Sequence, residues 1–163
     1  MIIHVNRLKR GDDGRMTFTL KENMEGLDYG GERLDFESPV VINGSIELDG
    51  DLLYVTGEIR AEVVLRCSRC LGTVRHSLRT GFSQEYSEAG PGEEVLPVKG
   101  DSIDLREPVI ESILLELPVK VLCSEECKGL CPICGADRNV KECGCSFHEV
   151  DPRMQQLKRL LEQ

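Results

Sequence analysis

The chain has 163 residues, 40% hydrophobic and 30% charged, which is enough to bury a core as one domain with an appendage and too apolar for disorder throughout. A formal charge of −9, a pI near 4.9, little aromatic content and no tryptophan argue against a protein that coats nucleic acid or offers a broad base-stacking surface. No stretch nears the roughly 20 apolar residues of a membrane span. The opening MIIHVNRLKRGDD lacks the apolar run and cleavage pattern of a signal peptide, so the expected location is cytoplasmic.

Ile2, Ile3, Val5 and Leu8 predict a first strand, and Met16, Phe18 and Leu20, alternating with Thr17 and Thr19, a second. Tyr29-Gly30-Gly31 marks a turn. Val40, Ile42, Gly44, Ile46 and Leu48 share one face of a long strand, and Asp49-Gly50-Asp51 signals a hairpin. The return strand places Leu53, Val55, Ile59, Ala61, Val63 and Leu65 on one side. Beyond the turn RCSRC, Val74, His76, Leu78 and Phe82 alternate again, with His76 expected as a buried, hydrogen-bonded histidine. Residues 87–100 read as a Gly/Pro-rich acidic loop. Asp104 and Glu107 are spaced as a capping box, Pro108 falls in a first turn, and Val109, Ile110, Ile113, Leu114 and Leu117 form a helical apolar stripe that covers the sheet. Asp151-Pro152 opens a last amphipathic helix with Met154, Leu157, Leu160 and Leu161, too short to stand alone.

The expected class is α+β: an antiparallel β-sheet, either a long-stranded meander or a partly closed barrel, with a covering helix and a C-terminal zinc knuckle plus short helix. Residues 1–122 would form the β domain with its covering helix at 104–117, and residues 123–163 the knuckle and terminal helix.

The eight cysteines come in pairs: Cys67/Cys70, Cys123/Cys127, Cys131/Cys134 and Cys143/Cys145. In a reducing compartment such pairs point to metal or redox chemistry rather than disulfides. In CPICG, Pro132 stiffens the turn and Gly135 is free to take positive φ, which lets two sulfurs converge on one ion. Cys131, Cys134, Cys143 and Cys145 are close enough in sequence for one local site, Cys123 and Cys127 could replace either half of it, and Cys67 and Cys70 could instead meet Cys123 and Cys127 across the chain. The pairing of distant segments is open at this level. All-sulfur coordination and the absence of ferredoxin spacings favour zinc, one or two Zn2+ per chain, at structural sites with no open position. His148 is an alternative ligand.

Arg60, Arg66, Arg75 and Arg79 share the other face of the hairpin by parity, and Arg69 lies in its turn. They read either as a solvated face or as a contact for RNA or a protein partner. A thioredoxin-like C-x-x-C opens a helix, whereas Cys67 and Cys70 join two predicted strands, so redox sensing is the weaker reading. No Ser/His/Asp set, P-loop or dinucleotide fingerprint is present, and the chain is expected not to be an enzyme.

The strand and turn VVLRCSRCLGTVR, the helix DLREPVIESILLELPVKVLC and the segment CKGLCPICGADRNVKECGC together resemble the bacterial YceD family, named for large ribosomal RNA subunit accumulation. The most specific parts are C-x-x-C-L ending at Leu71 and GLCP-x-CG-x-x-x-N ending at Asn139. The resemblance implies a small, cytosolic, non-catalytic factor that supports accumulation of the large-subunit RNA. Its partner would be ribosomal precursor RNA or a large-subunit ribosomal protein, with the small zinc-ribbon protein of that subunit as a relation. The family's C-x-x-C falls on Cys67 and Cys70, and its C-terminal cysteine segment, not universal in the family, on residues 123–145. The alternative is a zinc-dependent, redox-responsive, chaperone-like or protein-interaction module, with no membrane and no small-molecule substrate.

Overall fold

Period-two alternation turns most of the chain into antiparallel sheet in the computed structural model, which describes residues 1–10, 14–89 and 95–145. The elements are β1 (Ile2–His4), α1 (Asn6–Arg10), β2 (Arg15–Glu22), β3 (Leu27–Tyr29), β4 (Glu32–Phe36), β5 (Val40–Asp49), β6 (Leu52–Arg66), β7 (Thr73–Ser87), β8 (Val95–Pro97), β9 (Ser102–Asp104) and α2 (Arg106–Glu116). With few helices beside a mostly antiparallel sheet, the architecture is consistent with α+β. No helix among the described residues is long and apolar enough to cross a membrane. The terminal helix expected after Asp151, and His148, lie outside the described residues.

The long hairpin β6–β7 is the spine. β7 pairs with β6 along its whole length, from Leu52↔Ser87 to Arg66↔Thr73. The other edge of β6 is shared: β5 pairs with residues 52–60, and β4 continues along it at Val63 and Val64. β2 borders β5, and β8 adds to β7 in parallel. Among the described residues no ladder joins β2 to β8, so the sheet is an open path. Gly30 and Gly31 both carry positive φ, at 58° and 85°, as the two-residue turn of the β3–β4 hairpin requires.

Leu53, Val55, Ile59, Ala61 and Val63 of β6 face the core with Val40, Ile42 and Ile46 of β5 and Leu78, Phe82 and Tyr86 of β7. One row crosses the sheet as Phe18–Gly44–Gly57–Phe82 in direct register. The rings lie over the glycines: a Cβ on Gly44 would sit 2.6 Å from Phe18 Cζ, and one on Gly57 2.6 Å from Phe82 Cε1. Two residues with no side chain thus leave the space that two aromatics fill.

α2 packs against β7 and buries Leu105, Val109, Ile113 and Leu117, one residue per turn, while Ile110 and Leu114 are half-covered. The expected capping box does not form. Asp104 is the last residue of β9, paired with Ile2, and Leu105 is the N-cap. The ladder and the Asp104 carbonyl, which accepts the buried Tyr86 hydroxyl at 2.8 Å, hold its backbone in the strand, while its Oδ1 still accepts the first-turn Arg106 N–H at 3.0 Å. Leu117 is extended ahead of Pro118, which stops the helix. The first expected strand also divides. β1 ends at His4, and Val5 and Leu8, both buried, share a face by helical spacing as α1 begins. Residues 95–97, expected as loop, form β8.

Candidate metal centres

The two C-x-x-C turns are built alike. In the first, which joins β6 to β7, the Leu71 N–H donates to the Cys67 carbonyl at 2.9 Å and the Cys67 N–H to the Gly72 carbonyl at 2.8 Å. In the second, the Gly135 N–H donates to the Cys131 carbonyl and the Cys131 N–H to the Ala136 carbonyl, both at 2.8 Å. The residue after the second cysteine is left-handed in each: Leu71 at φ 59° and Gly135 at φ 73°. Ahead of that residue, N–H groups of the turn itself point at the first sulfur, and beyond it the Gly72 N–H points at the second, Cys70. The N–H of Cys70, helped by those of Arg69 and Cys123, holds the Cys67 thiol down to about 6 against the effect of burial. The N–H groups of Cys134 and Ile133 do the same for Cys131, also to about 6.

Folding gathers the eight cysteines into two tetrads: Cys67, Cys70, Cys123 and Cys127, and Cys131, Cys134, Cys143 and Cys145. Within each, the sulfurs lie within 4.8 Å of one another. In the first, Cys67 Sγ and Cys127 Sγ are 3.8 Å apart, and Cys70 Sγ and Cys123 Sγ 3.6 Å. A disulfide needs about 2.05 Å. Four thiolates about 2.3 Å from one zinc would be about 3.8 Å apart on a tetrahedron's edges, so the arrangement fits a shared ion. The neighbouring Cys127 pushes the Cys123 thiol up to about 12, and Cys134 does the same to Cys145. Four sulfurs this close cannot all ionise unaided; a dication removes that conflict. Either tetrad could hold a metal ion.

The first tetrad also joins the hairpin tip to the C-terminal segment. Ser68 N–H donates to the Val121 carbonyl at 2.8 Å, and Leu130 N–H to the Arg69 carbonyl at 2.9 Å. Cys123 N–H reaches Cys67 Sγ at 3.4 Å. Gly129, at φ 72°, lies so close that a Cβ there would sit 2.9 Å from the Arg69 carbonyl oxygen. Cys67, Cys127 and Cys131 are buried, whereas Cys123 and Cys134 are exposed.

All five arginines singled out from the sequence are exposed, and four have partners within the chain. Arg69 Nη1 donates to the carbonyls of Cys127 at 2.8 Å and Glu125 at 3.2 Å, so it fastens the junction. Arg60 and Arg79 both grip the Glu58 carboxylate and hold it below the usual carboxylate range, Arg79 most strongly. Arg75 pairs with Glu37 at 2.7 Å. Among the described residues, Arg66 has no ion-pair partner. His76 is only half-buried. A groove of about 800 Å3 between α2 and β8, lined in part by Tyr86, Leu96, Ile110 and Leu114, borders none of these cysteines or arginines. Sequence reasoning passed over Leu71 and Asn139 as structural actors, though aligning CSRCLG with CPICGA would have marked Leu71 as standing where a glycine is expected.

Residues 55–161, more than half of the chain and inclusive of all eight cysteines, match the sequence profile of a family described as "Large ribosomal RNA subunit accumulation protein YceD". The chain is 33% identical over 131 residues to the uncharacterized protein YlbN of Bacillus subtilis, covering 77% of this chain and 76% of that protein. It is 32% identical over 123 residues to the uncharacterized protein Rv2926c of Mycobacterium tuberculosis, covering 71% of this chain but only 59% of that longer relative. A third relative, 24% identical over 160 residues and half covered, is the Arabidopsis thaliana protein named "Large ribosomal RNA subunit accumulation protein YCED homolog 1, chloroplastic". No solved structure matches the chain. By that profile match, which spans more than half of its residues, the chain belongs to the YceD family.

Proposed function

We propose that this protein is a non-catalytic factor that supports accumulation of large-subunit ribosomal RNA, and that zinc held by cysteine thiolates makes its binding surface. The observation that carries this reading is the junction itself. The family match spans both cysteine tetrads, and the first tetrad fastens the tip of the longest hairpin to a segment more than fifty residues away. Four thiolates leave no open position for water, so the ions are structural. One ion sits at Cys67, Cys70, Cys123 and Cys127, the other at Cys131, Cys134, Cys143 and Cys145.

The partner is ribosomal precursor RNA or a large-subunit ribosomal protein in the cytoplasm, met at the β6–β7 hairpin. Of the five arginines there, among the described residues Arg66 has no ion-pair partner and Arg75 pairs with the exposed Glu37; Arg60, Arg69 and Arg79 are more firmly engaged. The test combines metal content with co-sedimentation on gradients of ribosomal precursors. The expected result is about two zinc ions per chain and a precursor-bound fraction that falls when Arg66→Glu is combined with Arg75→Glu. A protein confined to the ribosome-free fraction would overturn the functional reading, and absence of zinc would overturn the metal reading.

A further inference from the structure

Asn139 lies in the loop that the second tetrad encloses, between Cys134 and Cys143, yet its side chain reaches a sulfur of the first. Its Nδ2 donates to Cys127 Sγ at 3.4 Å and to Asp137 Oδ1 at 2.8 Å, and its Oδ1 accepts the Lys128 N–H at 2.8 Å. These partners fix which end of the amide is which. A carboxylate only accepts and a backbone N–H only donates, so the nitrogen must be the atom that meets the sulfur. Asp137 holds the same residue a second time, accepting the Asn139 backbone N–H at 2.9 Å.

Asp137 is itself anchored beside the second knuckle. It bridges to Leu130, and its carbonyl accepts the N–H groups of Val140 at 3.2 Å and Lys141 at 3.0 Å. Arg138 N–H donates to the Gly129 carbonyl at 2.9 Å. The loop of the second tetrad therefore bears on Lys128, Gly129 and Leu130, the three residues that separate Cys127 of one set from Cys131 of the other. From that loop, the Asn139 side chain meets a ligand sulfur of the first set.

We infer that Asn139 is a positioning residue that couples the two centres. Metal at Cys131, Cys134, Cys143 and Cys145 closes the loop that holds Asn139 on Cys127, and so raises the affinity of Cys67, Cys70, Cys123 and Cys127 for their ion. By linkage, the first ion raises the affinity of the second set by the same factor. The chemistry is that of an outer hydrogen bond to a metal ligand: a four-thiolate dication centre carries excess negative charge, and an N–H aimed at one sulfur draws some of it off while fixing the sulfur's direction. The inference rests on the reading that both tetrads bind metal, and its test separates the two.

The full-length, metal-free chain is titrated with Co2+ under reducing conditions, following the thiolate-to-cobalt absorption, and affinities are set by competition with a chelator. The wild type is expected to load two ions in a single cooperative phase. In Cys143→Ser with Cys145→Ser one ion remains, bound roughly 10–100-fold more weakly than in the wild type, as loss of an outer-shell partner does. Asn139→Ala should split the wild-type titration into two phases, one of them matching that remaining ion. Asn139→Asp, which keeps the shape but sets a carboxylate oxygen against Asp137 Oδ1 and Cys127 Sγ in place of the donor, should split the titration at least as far. Combining Asn139→Ala with the two serines should add nothing further, since both changes remove one interaction. Two ions bound with equal affinity whatever stands at position 139, or an undiminished first site in the double-serine variant, would overturn the coupling and leave the metal reading intact. No cobalt–thiolate absorption in any variant would remove both.

Discussion

Leu71 occupies a backbone conformation that the second knuckle gives to a glycine. A leucine at φ 59° places its Cβ against its own carbonyl, which costs about 1–2 kcal/mol. The side chain is 54% exposed, so packing recovers little of that cost. At Gly135 the same backbone is free of strain, and a Cβ there would meet nothing within 4 Å. Two exchanges follow with different signs. Gly135→Leu should lower stability by about 1–2 kcal/mol through strain alone. Leu71→Gly should leave stability unchanged or raise it by up to about 1 kcal/mol, the relief being partly offset by the greater freedom of glycine in the unfolded chain. Urea denaturation of the metal-loaded chain measures both, and a comparable loss from Leu71→Gly would mean that its side chain contributes to stability after all.

Among the elements, the sheet was the most legible in sequence because a strand's two faces are written by parity. Most buried positions of β5, β6 and β7 fall where alternation placed them, including Val40, Ile46, Val55 and Leu78, whereas Tyr86 and Ser87 at the end of β7 are buried beyond the expected strand. Parity could not show that Gly44 and Gly57 stand opposite each other beneath Phe18 and Phe82, since register between strands is a property of the pair rather than of either strand. That row makes a testable claim. A Cβ on Gly44 would sit 2.4 Å from the Thr56 carbonyl oxygen as well as against the Phe18 ring, whereas on Gly57 the nearest obstacle is the Phe82 ring and the Asn43 carbonyl oxygen is farther, at 3.0 Å. Gly57→Ala should cost about 1–3 kcal/mol as overpacking, and Gly44→Ala more, because a backbone oxygen cannot rotate away as a ring can. Equal and negligible losses in thermal denaturation would mean that the sheet yields at this row. The ends of elements were the least legible. Asp104 carries the chemistry of a helix cap, but its ladder to Ile2 and its carbonyl contact with Tyr86 outweigh local preference.

At the scale of the whole molecule, the cysteine pairs could be seen in the sequence but their partition could not. Spacing alone favours a local set from Cys131 to Cys145, whereas nothing in spacing brings Cys67 to Cys127, 60 residues on. That meeting depends on the hairpin reaching out of the sheet, on Gly129 admitting the Arg69 backbone, and on the Arg69 guanidinium closing over two carbonyls. The core of Ile42, Ile46, Val55 and Ile59 draws on none of these contacts. Removing metal should therefore divide the molecule rather than unfold it. After chelation, hydrogen exchange should accelerate at the amides of Ser68 and Leu130, which cross the junction to Val121 and Arg69. The amides of the β5–β6 ladder, held by strand pairing and the core, should keep their protection. Sheet circular dichroism should be largely retained while residues 123–145 become susceptible to protease, and re-addition of zinc should reverse both changes. Loss of protection in β5 and β6 together with the junction would mean instead that the thiolate centres hold the whole fold, and that the sheet cannot stand without its clamp.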